Sequence, residues 1–219
     1  MDRIITVTGT GNISVAPDTI ELSFSVSDLK KAYNKAFDGA NGKAVRLQEA
    51  VKAVGFEEDS LKTTNFRVDT RYESIRDDKG NYKQQFTGYA CYYDMKLSFA
   101  FDTGLLAKVL GQIADCGAEP ELNIRFTVKD TDAVRKELLE NAAQNALEKA
   151  NILCKASGVQ LGELVAIDYN WADRALVSNT RFEVSNDAMP LMAKRASGPS
   201  ITPDDIQVKD SAVFRWTIL

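Results

Sequence analysis

Few residues of this chain stand at spacings that could do chemistry. Gly9-x-Gly11 is the first. A phosphate cradle needs a third glycine and then a helix N-terminus, but position 14 is Ser, and Pro17 and a strand pattern follow. The pair reads instead as a turn between strands, with Pro17-Asp18 as the next corner. Asp77, Asp78 and Asn81 suggest a calcium loop, but their spacing is too short and Lys79 sits among the would-be ligands. They read as a solvated hairpin tip. Glu57-Glu58-Asp59 and Asp204-Asp205 read as exposed turn charges, since paired carboxylates without convergent geometry make no glycosidase. Cys91, Cys116 and Cys154 form no C-x-x-C pair and are odd in number, which fits small buried hydrophobes better than a disulfide framework or a reactive thiol. There is no histidine. That removes Ser-His-Asp and Cys-His catalysis and most catalytic zinc and non-haem iron sites. An enzyme here would have to work with carboxylates, Lys, Tyr or Cys. No catalytic, cofactor-binding or metal-binding residue is assigned, and no cofactor is expected.

Two groups of side chains remain as candidates for recognition. Tyr89, Tyr92 and Tyr93, followed by Phe99 and Phe101, could form a ligand wall, a nucleic-acid stacking platform or an oligomer interface. Packing in a core or between copies is favoured, and Asp94 among the rings argues against nucleic acid. Met189, Leu191 and Met192, flanked by Lys194 and Arg195, form an apolar knot that fits an exposed adhesive patch.

Composition sets the frame. The 219 residues suffice for one large domain or two small interlocked ones, and 44% hydrophobic with 26% charged residues is ordinary for a globular chain. A net charge of −4 gives no overall attraction to nucleic acid or anionic lipid, although a local basic patch is compatible with it. No window reaches the ~18–20 apolar residues of a membrane helix. The opening MDRIITVTG lacks the apolar core of a signal peptide. The expectation is a cytoplasmic protein as the sequence is written, or a periplasmic or envelope protein if a leader was removed.

Periodicity supplies the elements that must position these groups. Ile20, Leu22, Phe24 and Val26 alternate with polar residues in a strand buried on one face. Ala36, Ala40, Ala44, Leu47, Val51 and Val54 mark a helix, with Gly39 and Gly42 inside it and Gly55 as its C-terminal cap. Residues 63–101 read as a hairpin whose second strand, 84–101, approaches ~60 Å at 3.3 Å per residue if unbroken. A bend at Gly88 or a part projecting beyond the core is expected. Asp102 caps a short helix through Leu105, Leu106, Val109, Leu110 and Ile113. Leu122, Ile124, Phe126 and Val128 form a strand. The helix at 131–157 carries the stripe Val134, Leu138, Ala142, Ala146, Ala150 and Leu153, closed by Gly158. Val165, Ile167, Tyr169 and Trp171 define a strand at 163–171. Residues 172–205 show no clean period and read as a long irregular loop. A last strand at 206–219, with Ala212, Phe214, Trp216 and Ile218 on one face, returns to share a sheet with the N-terminal part. The order predicts an α+β fold with a mixed, mostly antiparallel sheet, helices packed on it, and a split β-α-β-β-α-β arrangement over 19–129.

Taken together, Val7-Thr8-Gly9-Thr10-Gly11, Pro17-Asp18, the alternating strand, the Ala-rich helices, Thr64-Asn65-Phe66 before Tyr72, Gly88-Tyr89, Gly117-Ala118 and Gly158-Val159-Gln160-Leu161-Gly162 resemble the SIMPL-domain family over nearly the whole chain. The resemblance implies a single SIMPL-like domain over 1–219. It also implies self-assembly into rings or cages, export to the bacterial periplasm or envelope, and a link to stress. Animal relatives act as signalling adaptors. It carries no catalytic residue set. The expected function is a non-enzymatic, homo-oligomeric scaffold or binding protein, with no nucleic acid and no transmembrane segment. The alternatives are a small-ligand binding protein with a pocket between the aromatic strand and the 172–205 loop, and a histidine-free enzyme using carboxylate, Lys or Tyr.

Overall fold

Alternation along a strand decides which side chains leave water, and in this chain it also decides where the helices lie. The structure, a computed structural model, describes residues 3–76, 81–170, 175–181 and 201–219. The elements are β1 (Ile4–Val15), β2 (Thr19–Lys30), α1 (Tyr33–Val54), β3 (Lys62–Arg76), β4 (Tyr82–Ala100), α2 (Thr103–Asp115), β5 (Glu121–Thr127), α3 (Thr131–Ala156), β6 (Leu161–Asp168) and β7 (Ile206–Ile218). This is the order that the periodicity predicts, and it makes an α+β fold. The chain divides into two compact units, one of Met1–Asp18, Thr127–Asn179 and Pro203–Leu219, the other of Thr19–Phe126 and Thr180–Thr202.

The second unit is a four-stranded sheet in the order β3-β4-β2-β5, with β2–β4 and β3–β4 antiparallel. This is the split β-α-β-β-α-β arrangement. One face of the sheet is apolar. Ile20, Leu22, Phe24 and Val26 of β2, Met95 and Leu97 of β4, and Ile124 and Phe126 of β5 meet Leu47 and Val51 of α1 and Leu106, Val109, Leu110 and Ile113 of α2, all buried. Asp102 caps α2 by accepting a hydrogen bond from the Leu105 amide at 2.9 Å. Gly55 ends α1 in the left-handed region. At Gly39, α1 passes against the side chain of Asp28 on β2, so the glycine serves a close approach to the strand.

The first unit is an antiparallel sheet in the order β1-β7-β6 with α3 on one face. β1 and β7 run side by side over their whole length, from Ile4 opposite Thr217 to Val15 opposite Ile206. Here the structure corrects the reading of Gly9 and Gly11. They make no turn but lie inside β1. A Cβ on Gly11 would fall on the backbone carbonyl of Leu138. One on Gly9 would fall on that of Ala142 and lie 2.7 Å from the Ala146 Cβ. The helix brings alanine to meet glycine: Leu138, Ala142, Ala146, Ala150 and Cys154 are buried at strict four-residue spacing. Leu153, expected in the stripe, is exposed because Cys154 keeps that spacing. The strand edge is bound too, since the Thr10 amide donates to Asn145 Oδ1 at 3.0 Å and Lys149 Nζ to the Thr8 carbonyl at 3.1 Å.

Pro17-Asp18 is the corner expected: the Asp18 carboxylate accepts from the Lys129 amide at 2.7 Å, and the Asp18 amide donates to the Thr127 carbonyl at 3.1 Å. The loop expected at 172–205 contributes to the core through Leu176, buried with Val128 and Ile206. β6 ends at Asp168, and its register shifts on either side of Leu164. The shifts break the two-residue period, so Val165 and Ile167 stand 59% and 53% exposed. Trp171 lies outside the described residues.

Two outcomes check this account. Gly11→Ala is expected to destabilise by about 2–3 kcal/mol in urea unfolding, because the methyl group meets backbone that can yield only by lifting α3 from β1. Tyr169 donates its hydroxyl to Asp210 Oδ2 at 2.8 Å, and burial followed by the Asp210 carboxylate pushes its pKa up to about 12. The folded state therefore holds this proton more tightly than the unfolded chain. The stabilisation is complete below pH ~10 and lost as pH rises through about 12. Tyr169→Phe is expected to remove the highest step from the tyrosinate absorbance titration.

Candidate functional site

The long hairpin β3–β4 holds the tyrosines, and its geometry is set at Gly88. β2 pairs with β4 from Ala100 to Tyr89, where Lys30 is the last partner. Beyond Tyr89 the only strand paired with β4 among the described residues is β3, so the hairpin leaves the sheet as a two-stranded ribbon. Arg71 stands opposite Gly88 and Tyr72 opposite Phe86, which makes Thr87 an extra residue. Gly88 has φ 155°, and a Cβ there would press 2.5 Å from the Lys30 carbonyl oxygen. Both outcomes expected of the strand occur together: it bends at Gly88 and it projects.

The extra residue changes which side chains share a face. Tyr93, Cys91 and Tyr89 point toward α1, and the bulge turns Phe86 to the same side. The rings then follow one another. Phe37 meets Phe66 at 5.9 Å, Phe66 meets Tyr93 at 4.8 Å, Tyr33 meets Tyr89 at 5.9 Å, Tyr89 meets Phe86 at 5.3 Å and Phe86 meets Tyr72 at 5.7 Å between centroids. α1 covers this row only as far as its first residue, Tyr33. Cys91, packed against Ala36 and Ala40, is buried, and burial followed by the nearby Asp28 charge pushes its thiol pKa up. That makes it inert. Tyr93 is pushed up as well, by burial first.

Tyr92 faces the other way, so the three tyrosines do not make one wall: Tyr89 and Tyr93 lie toward α1 and Tyr92 on the open side of the sheet. There the Arg67 guanidinium lies 4.3 Å from the centre of its ring, and Arg71 donates to its hydroxyl. Beside it, Asp94 accepts from Ser25 Oγ at 2.7 Å and from Asn65 Nδ2 at 2.9 Å. These two bonds, ahead of the Arg67 charge, hold its carboxyl below the usual carboxylate range. Lys96 pairs with Glu21 at 2.5 Å. A shallow hollow of about 320 Å³, lined by Ser23, Ser25, Asp94, Glu121 and Asn123, lies on this polar side. Such a surface can recognise polar groups. Among the described residues no cluster of three His, Cys, Asp or Glu side chains could hold a metal ion. Arg67 and Arg71 were missed as candidates, although a four-residue spacing on a strand puts them on one face.

A second surface lies on β6. It is the edge strand of its sheet, and Leu164, Val165 and Ile167 are all exposed. Met189, Leu191 and Met192, the expected adhesive patch, lie outside the described residues. No helix among the described residues is long and apolar enough to cross a membrane.

Comparison with known proteins gives the chain its relatives. The 26 kDa periplasmic immunogenic protein of Brucella melitensis biotype 1 is 29% identical over 164 residues, covering 74% of this chain and 65% of that protein. The protein of the same name from Brucella abortus strain S19 matches with the same figures. The match thus spans 65% of the length of these curated relatives. A crystal structure of an uncharacterized conserved protein from Listeria innocua aligns over 96% of this chain and 92% of its own, at 8% identity and a TM-score of 0.22, too low to speak to the fold. The family model described as SIMPL, protein of unknown function (DUF541), matches residues 5–216. The chain belongs to the SIMPL family.

Proposed function

We propose that this protein is a non-enzymatic, homo-oligomeric scaffold or binding protein of the bacterial periplasm. The observation that carries the reading is the open edge of β6. No described strand pairs with its outer side, and it shows three large aliphatic side chains to water. Unpaired edges with apolar side chains are templates for another strand, and monomeric proteins blunt them with charge or proline. β6 has Glu163 near its start and Asp168 at its end, with no charge between them. Burying Leu164, Val165 and Ile167 against a second copy is worth roughly 1 kcal/mol each, before the backbone bonds that edge pairing adds. The periplasmic placement follows the names of the Brucella relatives. A stress-linked role has only the family resemblance behind it.

The hollow beside Asp94 favours a second reading, the capture of a small polar ligand on the open side of the four-stranded sheet. It lies on the side of Tyr92 and not on the side of Tyr89 and Tyr93.

Light scattering coupled to size exclusion at tens of micromolar is expected to give the mass of several chains. Val165→Lys with Ile167→Glu is expected to reduce it to one chain with an unchanged circular dichroism spectrum. A single-chain mass for the unaltered protein would refute assembly. An unchanged multiple mass in the double variant would refute β6 as its contact.

A further inference from the structure

The chain is acidic overall, but its charge is unevenly placed. Residues 29–35 and 71–86 together hold seven cations and three acids, leaving twenty cations against twenty-eight acids elsewhere. Two of the three acids and one of the cations, Asp77, Asp78 and Lys79, lie in the sequence between β3 and β4, outside the described residues. The two segments meet at the base of the ribbon. Lys30 stands opposite Tyr89 and Arg71 opposite Gly88, while the Tyr33 ring packs on Tyr89. Lys30 is engaged by Asp28 at 3.1 Å, but Lys31, Lys35 and Lys83 rise from exposed positions. α1 begins here with Ala32 as its cap and no acid in its first turn; the Lys35 amide donates to Asn34 Oδ1 at 3.0 Å, and the helix end adds to the positive field.

Lys31 and Lys35 flank the exposed rings where α1 begins, and Lys83 alternates with Tyr82 and Phe86, so it lies on the other face of the same two-stranded ribbon. Past the end of α1, Tyr33, Phe86 and Tyr72 are partly uncovered, and Tyr82, further along the ribbon, is 75% exposed. Leu29 is exposed on the opposite side of the same end. Three of the four rings are tyrosines, with an apolar body and a polar tip. The contacts Tyr72–Phe86, Phe86–Tyr89 and Tyr33–Tyr89 are edge-to-face, so the row does not offer the flat platforms on which nucleobases stack.

We propose that this end of the protein docks on an anionic lipid surface. The rings of Tyr33, Tyr72, Tyr82 and Phe86 enter at headgroup level, and Lys31, Lys35 and Lys83 at the same end meet the anionic headgroups. The charge complementarity is local. The acidic remainder of the chain is repelled by the same surface, so the contact orients the protein with its ribbon toward the bilayer. This docking does not depend on assembly through β6.

Co-sedimentation with vesicles tests it. The full chain is expected to bind vesicles of phosphatidylcholine mixed with phosphatidylglycerol at low salt, to release them as salt is raised, and to bind phosphatidylcholine alone far more weakly. Lys31→Gln, Lys35→Gln and Lys83→Gln in one chain is expected to weaken binding roughly a hundredfold. Tyr82→Ser, at a position that supports little of the fold, is expected to weaken it by a smaller factor. Circular dichroism checks that each variant is folded. No binding to the anionic vesicles overturns the proposal, as does equal binding by the folded triple-lysine variant. Binding to single-stranded DNA or heparin without binding to vesicles overturns it in favour of a soluble polyanion. A triple-lysine variant that loses its oligomer while keeping vesicle binding overturns it in favour of a second copy as the occupant.

Discussion

The three-stranded unit depends on how closely α3 lies on β1. Helix and strand approach at Gly9 and Gly11 until the strand has no room for a Cβ, and the helix answers with Ala142 and Ala146. Most helix–sheet contacts hold together by interlocking large side chains. This one brings backbone close to backbone, so it tolerates little change in volume. The larger apolar side chains sit to one side, where Val7, Phe214 and Trp216 close the core with Ala150. The same closeness lets Asn145 and Lys149 reach over the strand and bind its amide and carbonyl groups, which covers an edge that would otherwise invite pairing. The sheet then has one covered edge, at β1, and one open edge, at β6.

In the four-stranded unit the matching constraint is that β4, with its hairpin partner β3, outlasts β2. A strand longer than its sheet must bend, stop or leave, and the extra residue at Thr87 lets it leave with its aromatic side unchanged. Without the bulge Phe86 would face away from Tyr89. With it, the rings that begin in the core beside Phe37 and Phe66 continue along the ribbon into water. Surface chemistry in this unit is therefore divided by face: aromatic toward α1, and polar with paired charges on the side of Tyr92, Asp94 and Lys96.

Much of this was legible because it is local. β2, α2 and β7 keep a single period from end to end, and their buried faces follow from it. Asp102 and Gly55 act through groups a few residues away, and the Pro17-Asp18 corner is legible from its turn residues although its partners, Thr127 and Lys129, lie more than a hundred residues on. What could not be read depends on neighbours distant in sequence. Gly9 and Gly11 look like a turn because nothing nearby shows that a helix more than a hundred residues later will press on them. The strand at 163–171 is legible, but not which of its side chains are exposed, because two register shifts break its period and it lies at an edge. Separating Tyr92 from Tyr89 and Tyr93 required only alternation. Joining Phe86 to them required the bulge.

The pairing of β1 with β7 has a temporal consequence. Residues 19–126 are continuous and contain every strand and helix of the four-stranded sheet, so that sheet can form while the chain is still being made. Ile4–Val15 must wait for Ile206–Ile218, which is made far later. Closing so long a loop is slow in forming contacts, and the glycine strand stays unmatched in the meantime. Until β7 has been made, part of every nascent molecule is unfinished.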